Sequence, residues 1–203
     1  MNKQDYSSIM LAILAAGQSS RFGDQNKLTA LLGDKMLGLY VSDKLQSLPF
    51  LTATIIAPKD EHPCANRWGE SGYNILVNER ADQGQSTSVR LAAMQAQSAN
   101  ADALCICLAD TPFVSTAHIE QLISKFIRLG QMQIVASSDG KNIMPPAIFP
   151  ADQFEKMAAL DGDKGARALL LDAATITFPK SNMLDIDTPD DLAAAKNLLH
   201  LLQ

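Results

Sequence analysis

The chain runs from Ile9-Met10-Leu11-Ala12-Ile13-Leu14 directly into Ala15-Ala16-Gly17-Gln18-Ser19-Ser20-Arg21-Phe22-Gly23-Asp24-Gln25-Asn26-Lys27. The uninterrupted apolar run reads as a strand buried on both faces, the kind that lies at the centre of a parallel sheet. The segment behind it combines small residues, two glycines and two cations. Small residues let backbone N–H groups approach an anion closely, glycine permits the positive φ such turns demand, and Arg21 with Lys27 can neutralise a polyphosphate. No Gly-Lys-Ser/Thr ends the loop and it lacks Gly-x-Gly-x-x-Gly, so it is neither a Walker A loop nor a dinucleotide fingerprint. A loop that merely turns the chain over would share its composition, so the segment needs support from the rest of the chain.

Working outward, the runs 52–57, 74–77, 103–108 and 133–136 repeat the short aliphatic pattern, each flanked by a segment with helical spacing. Leu37, Tyr40, Val41, Leu45 and Leu48 form one such stripe, and Ile119, Leu122, Ile123 and Phe126 another behind a Ser115 cap. Thr188-Pro189-Asp190-Asp191 opens the last helix with a cap, a proline at the first helical position and two acids in the first turn. Alternating strands and helices predict an α/β fold: a single three-layer domain over 1–203, with a mostly parallel Rossmann-like sheet covered by helices on both faces. Residues 1–8 read as a flexible leader, and the proline-flanked run 145–150 as a short edge strand.

Composition narrows the chemistry. Seventeen Lys and Arg against 22 Asp and Glu give a net charge of −5, which supplies no general footprint for nucleic acid. There is no apolar stretch of membrane-spanning length and no apolar secretory segment, so the expectation is a soluble cytoplasmic protein without a membrane partner. Three cysteines are too few for a disulfide framework, and Cys105-Ile106-Cys107 reads as plain strand. Histidine and cysteine stand in no ligand pattern, so any bound metal should be hard and held by oxygen. Asp110 is placed for this, because it follows the apolar run 103–108 at the end where an open α/β sheet binds ligands. An Asp-x-Pro turn is also ordinary turn chemistry.

Leu14-Ala15-Ala16-Gly17-x-Ser19-x-Arg21-x-Gly23 followed by Lys27 resembles the opening motif of the MobA-like nucleotidyltransferase family. Four later segments agree in order: Asn78 with Gly84-Gln85-Ser86-Thr87-Ser88-Val89, Leu108-Ala109-Asp110-Thr111-Pro112, Gly162-Asp163-Lys164-Gly165-Ala166-Arg167, and Asp185-Ile186-Asp187-Thr188-Pro189-Asp190-Asp191-Leu192. The likeness is greatest to molybdenum cofactor cytidylyltransferases. It implies a nucleotide-diphospho-sugar transferase fold and Mg²⁺-dependent transfer of CMP from CTP to the terminal phosphate of a molybdopterin-type cofactor. A client molybdoenzyme would then receive the product.

The resemblance also implies roles. Arg21 and Lys27 would bind the triphosphate, and Leu14, Ala15, Ala16 and Gly17 would contact the nucleotide. Gly84 and Ser88 would lie against the base, with Asn78 near them; Ser88 could instead cap the helix that begins there. Asp110 and Asp187 would hold Mg²⁺, with Asp185 as the competitor of Asp187. Guanylyl members carry Gly-Gly where this chain has Ala15-Ala16, which favours CTP over GTP, although one methyl is worth only about 1–3 kcal/mol. Met144 replaces the family's usual glycine on the acceptor side. Lys164, in a Gly-flanked turn, would reach the acceptor's phosphate or merely start a helix. Two alternatives stand beside the leading reading: a cytidylyltransferase for a sugar or polyol phosphate, and a non-catalytic nucleotide or cofactor carrier.

Overall fold

The run Ile9–Leu14 forms β1, buried along its whole length near the middle of a seven-stranded sheet. The computed structural model describes residues 5–17, 21–22, 26–58, 61–160 and 167–201. The other strands are β2 (Leu31–Leu32), β3 (Lys35–Met36), β4 (Thr52–Ala57), β5 (Asn74–Val77), β6 (Ala103–Leu108), β7 (Val135–Ser138), β8 (Ile143–Pro150) and β9 (Ala174–Thr177). The helices are α1 (Tyr40–Leu45), α2 (Ala65–Glu70), α3 (Gln85–Ser98), α4 (Thr116–Arg128), α5 (Phe154–Ala158) and α6 (Pro189–Leu201). The main sheet has the order β5-β4-β1-β6-β8-β7-β9, and β2 pairs with β3 in a separate hairpin. β5, β4, β1 and β6 are mutually parallel, β9 is parallel to β7, and β8 alone runs against both neighbours. This is the mostly parallel α/β sheet expected from the alternating pattern.

Because successive strand residues point to opposite faces, β1 feeds two cores. Leu11 and Ile13 join Val41 and Leu45 of α1, Trp68 of α2, the α4 stripe and Ala195 of α6 on one face. Met10, Ala12 and Leu14 join Val89, Ala92, Ala93 and Ala96 of α3 with Phe154 and Met157 of α5 on the other. The three fully buried alanines of α3 let that helix lie close against the sheet. All three cysteines are buried and free. Among the described residues no helix is long and apolar enough to cross a membrane.

The capping signals behave as written in the sequence. Ser115 Oγ accepts from His118 N. At α6, Thr188 N donates to Asp191 Oδ2 (2.8 Å) and Asp191 N to Thr188 Oγ1 (3.2 Å), a reciprocal box with aspartate in the usual glutamate position.

Three expectations need correction. The run 145–150 is not an edge strand: it belongs to β8, which is interior, between β6 and β7. Pro145 and Pro146 are tolerated because Ala136 pairs with Ala147 but Ser137 with Met144, so both fall in a lapse of the ladder where no N–H is needed. The strand read at 133–136 is displaced to Val135–Ser138. Residues 5–8 are not a loose leader, since Tyr6 is buried and sets its ring edge-on to Phe50 at 5.3 Å, while residues 1–4 lie outside the described residues.

His118, buried between α4 and the sheet, stacks on Phe178 and lies 2.8 Å from Ser137 Oγ through Nε2. Ser137 spends its own proton on the Pro146 carbonyl, so Nε2 of His118 must be the donor and Nδ1 stays unprotonated. Burial lowers the histidine pKa from 6.5 to about 4. The folded state therefore refuses a proton that the unfolded chain takes up, and stability present above pH 6.5 drains away as pH falls toward 4, by roughly 3 kcal/mol at most. Thermal unfolding from pH 7 to 4.5 should show the wild type losing Tm more steeply than His118→Gln; parallel curves would refute the assignment.

Candidate active site

At the carboxyl ends of β1 and β6 the sheet opens into a cavity of about 660 Å³. The first loop leaves β1 still tied to the sheet, because Ala15 N donates to Ile56 O (2.8 Å) and Ala109 N to Leu14 O (3.0 Å). Leu14, Ala16 and Gly17 line the cavity, whereas the Ala15 methyl is buried in the core of the opposite face. Apart from its chain neighbours, no atom of the described residues lies within 4 Å of where a Cβ on Gly17 would stand. Among the described residues of this loop Gly17 does not take a positive φ, whereas Gly84, across the cavity, has φ 102°. Residues 18–20 and 23–25, including Ser19 and Gly23 of the motif, lie outside the described residues.

Lys27 begins a short 3-10 turn whose cap is Asn26, with Leu28 N donating to Asn26 Oδ1. Its ammonium is almost buried, with 8% of the side chain exposed, and lies 2.5 Å from Asp110 Oδ2 and 2.7 Å from Asp187 Oδ1. Burial alone would lower the lysine pKa, but Asp110, Asp187 and Asp185 outweigh it and raise the value above the ordinary one. Arg21, whose side chain is 70% exposed, pairs with the other oxygen of Asp187 at 2.7 Å. The two cations assigned to the triphosphate thus sit on the carboxylates assigned to the metal.

Asp110 ends the strand run as the sequence implied, and its turn is braced on three sides. Ile186 N donates to the Asp110 carbonyl (3.1 Å), Thr111 Oγ1 to Leu108 O (2.9 Å), and Lys44 of α1 to Pro112 O (2.7 Å). Ile186 is fully buried. In an extended segment this turns its neighbours Asp185 and Asp187 together toward the cavity that both line. One oxygen from each of Asp110, Asp185 and Asp187 lies within 4.8 Å of the others. Burial and the nearby Asp110 push the Asp185 carboxyl from 3.8 up to about 7. Asp110 Oδ1 and Asp185 Oδ1 are buried without a hydrogen-bond partner among the described residues. Three converging hard oxygen donors, two with orphaned buried atoms, fit a divalent cation such as Mg²⁺. The sequence reading set Asp185 against Asp187 as rivals; the structure brings both to the cluster.

Across the cavity, Gly84 is the N-cap of α3 and Ser88 stands one turn inside the helix. The capping role for Ser88 is thereby excluded. Ser88 lines the cavity, but Asn78 does not reach it: the asparagine is 2% exposed and donates through Nδ2 to Thr87 Oγ1 (2.8 Å) and Ser88 Oγ (2.9 Å). Ile143, Met144, Pro145 and Leu170 form an apolar wall, with Arg167 beside them. The segment 161–166, which carries Lys164, lies outside the described residues. Sequence reasoning missed Lys44, whose contact is to a backbone carbonyl 68 positions away and leaves no local signal.

With this geometry in view, comparison with known proteins is informative. A family model described as the MobA-like NTP transferase domain matches residues 11–176. The purine catabolism protein PucB of Bacillus subtilis is 33% identical over 196 residues, covering 88% of this chain and 91% of that protein. A molybdenum cofactor guanylyltransferase of Cereibacter sphaeroides is 28% identical over 193 residues, covering 92% and 95%. Among solved structures, the Mycobacterium tuberculosis rv0371c homolog from mycobacterium sp. strain JC1 shares the fold with a TM-score of 0.72 at 22% identity, over 97% of this chain and 99% of that one. The family match runs from within β1 through the first loop, Asp110 and the apolar wall of the cavity, and the chain therefore belongs to the MobA-like NTP transferase domain family.

Proposed function

We propose that this nucleotidyltransferase moves CMP from CTP to the terminal phosphate of a molybdopterin-type acceptor in the cytoplasm, releasing pyrophosphate and using Mg²⁺ held by Asp110 and Asp187 with Asp185 beside them. The observation that carries the reading is the meeting of these three carboxylates with Lys27 at the mouth of the small-residue loop.

Nucleotidyl transfer asks the protein for alignment and charge control rather than covalent help. The acceptor's phosphate oxygen bonds to the α-phosphorus as the bond to the β-phosphate bridge breaks, and pyrophosphate departs. Lys27 and Arg21 exchange carboxylate partners for oxygens of the leaving group, where charge-assisted bonds strengthen as negative charge accumulates. Mg²⁺, when bound at the carboxylates, neutralises charge on the triphosphate. Ala16 and Gly17 let the nucleotide come close to the backbone, and the apolar wall at Ile143, Met144, Pro145 and Leu170 suits the flat body of a pterin better than a polyol. That wall, with a cleft rich in paired charge, supports the leading reading over a sugar-phosphate substrate or a passive carrier.

Base choice rests on Ala16. Relatives named guanylyltransferases make GTP the competitor, and only the second methyl of Ala15-Ala16 faces the cavity. Ala16→Gly should therefore lower the CTP-to-GTP preference by about tenfold, within the range one methyl can supply, while Ala15→Gly acts through stability. Equal kinetic ratios in wild type and Ala16→Gly would remove the steric argument.

The reaction itself is tested by pyrophosphate release from CTP or GTP with Mg²⁺, offering a molybdopterin acceptor or sugar phosphates in parallel. Asp110→Asn should keep its circular dichroism spectrum and lose turnover by roughly 100-fold or more. Turnover in that variant near the wild-type rate would show that the cluster does not serve the chemistry.

A further inference from the structure

We propose that Asn78 fixes the direction of the Ser88 hydroxyl proton, making Ser88 an obligate hydrogen-bond donor to an acceptor atom on the nucleobase. The inference rests on the nucleotide reading of the cavity and adds a positioning residue to it.

The polarity can be traced atom by atom. Arg80 N, a donor, lies 3.0 Å from Asn78 Oδ1, which fixes which end of the amide is oxygen. The amide nitrogen then holds two protons and spends them on Thr87 Oγ1 and Ser88 Oγ. Asn78 itself is anchored at the end of β5, its N–H donating to Ala57 O at 2.8 Å. Both hydroxyls are thus acceptors toward Asn78, and each must send its own proton elsewhere. Thr87 has carbonyls to receive it, Gly84 O at 2.8 Å and Arg80 O at 3.0 Å. Ser88 has none among the described residues, although it is 97% buried and lines the cavity. In a helix, a serine can ordinarily turn its proton back to the carbonyl four residues earlier. Here that carbonyl is Gly84 O, already engaged by the Thr87 hydroxyl and the Thr87 N–H (3.2 Å).

A buried O–H left without an acceptor is costly, and the open direction for this one is the cavity. The matching ligand atom is a carbonyl oxygen or unprotonated ring nitrogen of a base. Asparagine is required because it donates twice; an aspartate of the same shape would accept from Ser88 and turn the proton away from the ligand.

Calorimetric titration of the whole protein with CTP, and separately GTP, in the presence of Mg²⁺ tests this in a double-mutant cycle. Ser88→Ala should weaken nucleotide binding about tenfold. Asn78→Asp should weaken it similarly, and adding Ser88→Ala to Asn78→Asp should cost little more, since the donor is already lost. Should the buried aspartate prevent folding, Asn78→Ala serves in its place, with Ser88→Ala again costing less than in the wild type. A purely structural asparagine would instead lower Tm while Ser88→Ala cost the same in both backgrounds, and that result overturns the proposal. So does unchanged binding by Ser88→Ala when the wild type binds nucleotide. If the wild type binds neither CTP nor GTP, the nucleotide reading of the cavity falls, and this inference with it.

Discussion

Three carboxylates share a partly buried cleft within 4.8 Å of one another, and the local structure is arranged around the repulsion this creates. Charges of one sign in a low-dielectric pocket cannot all persist without compensation. The protein answers in two ways: Lys27 is inserted between Asp110 and Asp187, and Asp185 is held with a carboxyl pKa near 7, so that it carries a proton for much of the time at neutral pH. Both answers are reversible. A divalent cation held by Asp110, Asp185 and Asp187 would supply the positive charge that the proton and Lys27 otherwise provide, which would free the ammonium for an anionic substrate. On the proposed reaction, therefore, one lysine balances the acids in the empty cleft and the leaving group in the filled one.

Such a cluster needs a rigid frame, and the frame is mostly backbone. Asp110 and the 185–187 segment come from parts of the chain far apart in sequence, yet Ile186 N is bonded directly to the Asp110 carbonyl. Ile186 is buried, which anchors the two flanking acids on the cavity side. Asp191 reaches back from the first turn of α6 to the N–H groups of Thr188 and Asp187, so a helix cap also serves as a brace for the third carboxylate. Removing the side-chain cap would be felt in the position of Asp187 before it was felt in the helix.

What could be read in advance follows from the range of the interactions. The strands at 9–14, 52–57, 74–77 and 103–108, the Ser115 and Thr188 caps and the placement of Asp110 depend on local pattern or on the rule for sheet edges, and they were legible. β8 was not, because a run with prolines at 145, 146 and 150 reads as an edge unless one knows that the ladder lapses at 136–137. Asp185 and Asp187 looked like rivals because alternation along an extended segment says they share a face, without saying what else is on it. Asn78 was assigned to the ligand from its company in a motif; the structure instead buries it behind Ser88, to which it donates. Lys44 left no trace, since its target is a main-chain carbonyl.

The same distinction governs how the two halves of the cavity can differ. On the side proposed for the nucleotide, Asn78 donates to the Thr87 and Ser88 hydroxyls, and Thr87 in turn donates to the Gly84 carbonyl. On the side proposed for the acceptor, the wall is made of Ile143, Met144, Pro145 and Leu170, which offer shape but no hydrogen bonds from their side chains. A wall of that kind discriminates weakly between bodies of similar size, because a methylene in an apolar pocket shifts binding by only about 1–3 kcal/mol, whereas an unpaired buried polar group rejects a mismatched ligand far more strongly. On the proposed reaction, selection among nucleotides combines the Ala16 methyl with directed hydrogen bonds, while selection among acceptors depends on shape and on Arg167 beside the wall. Substitutions at the wall should accordingly broaden acceptor use gradually, and substitutions in the Asn78 network should act on the nucleotide abruptly.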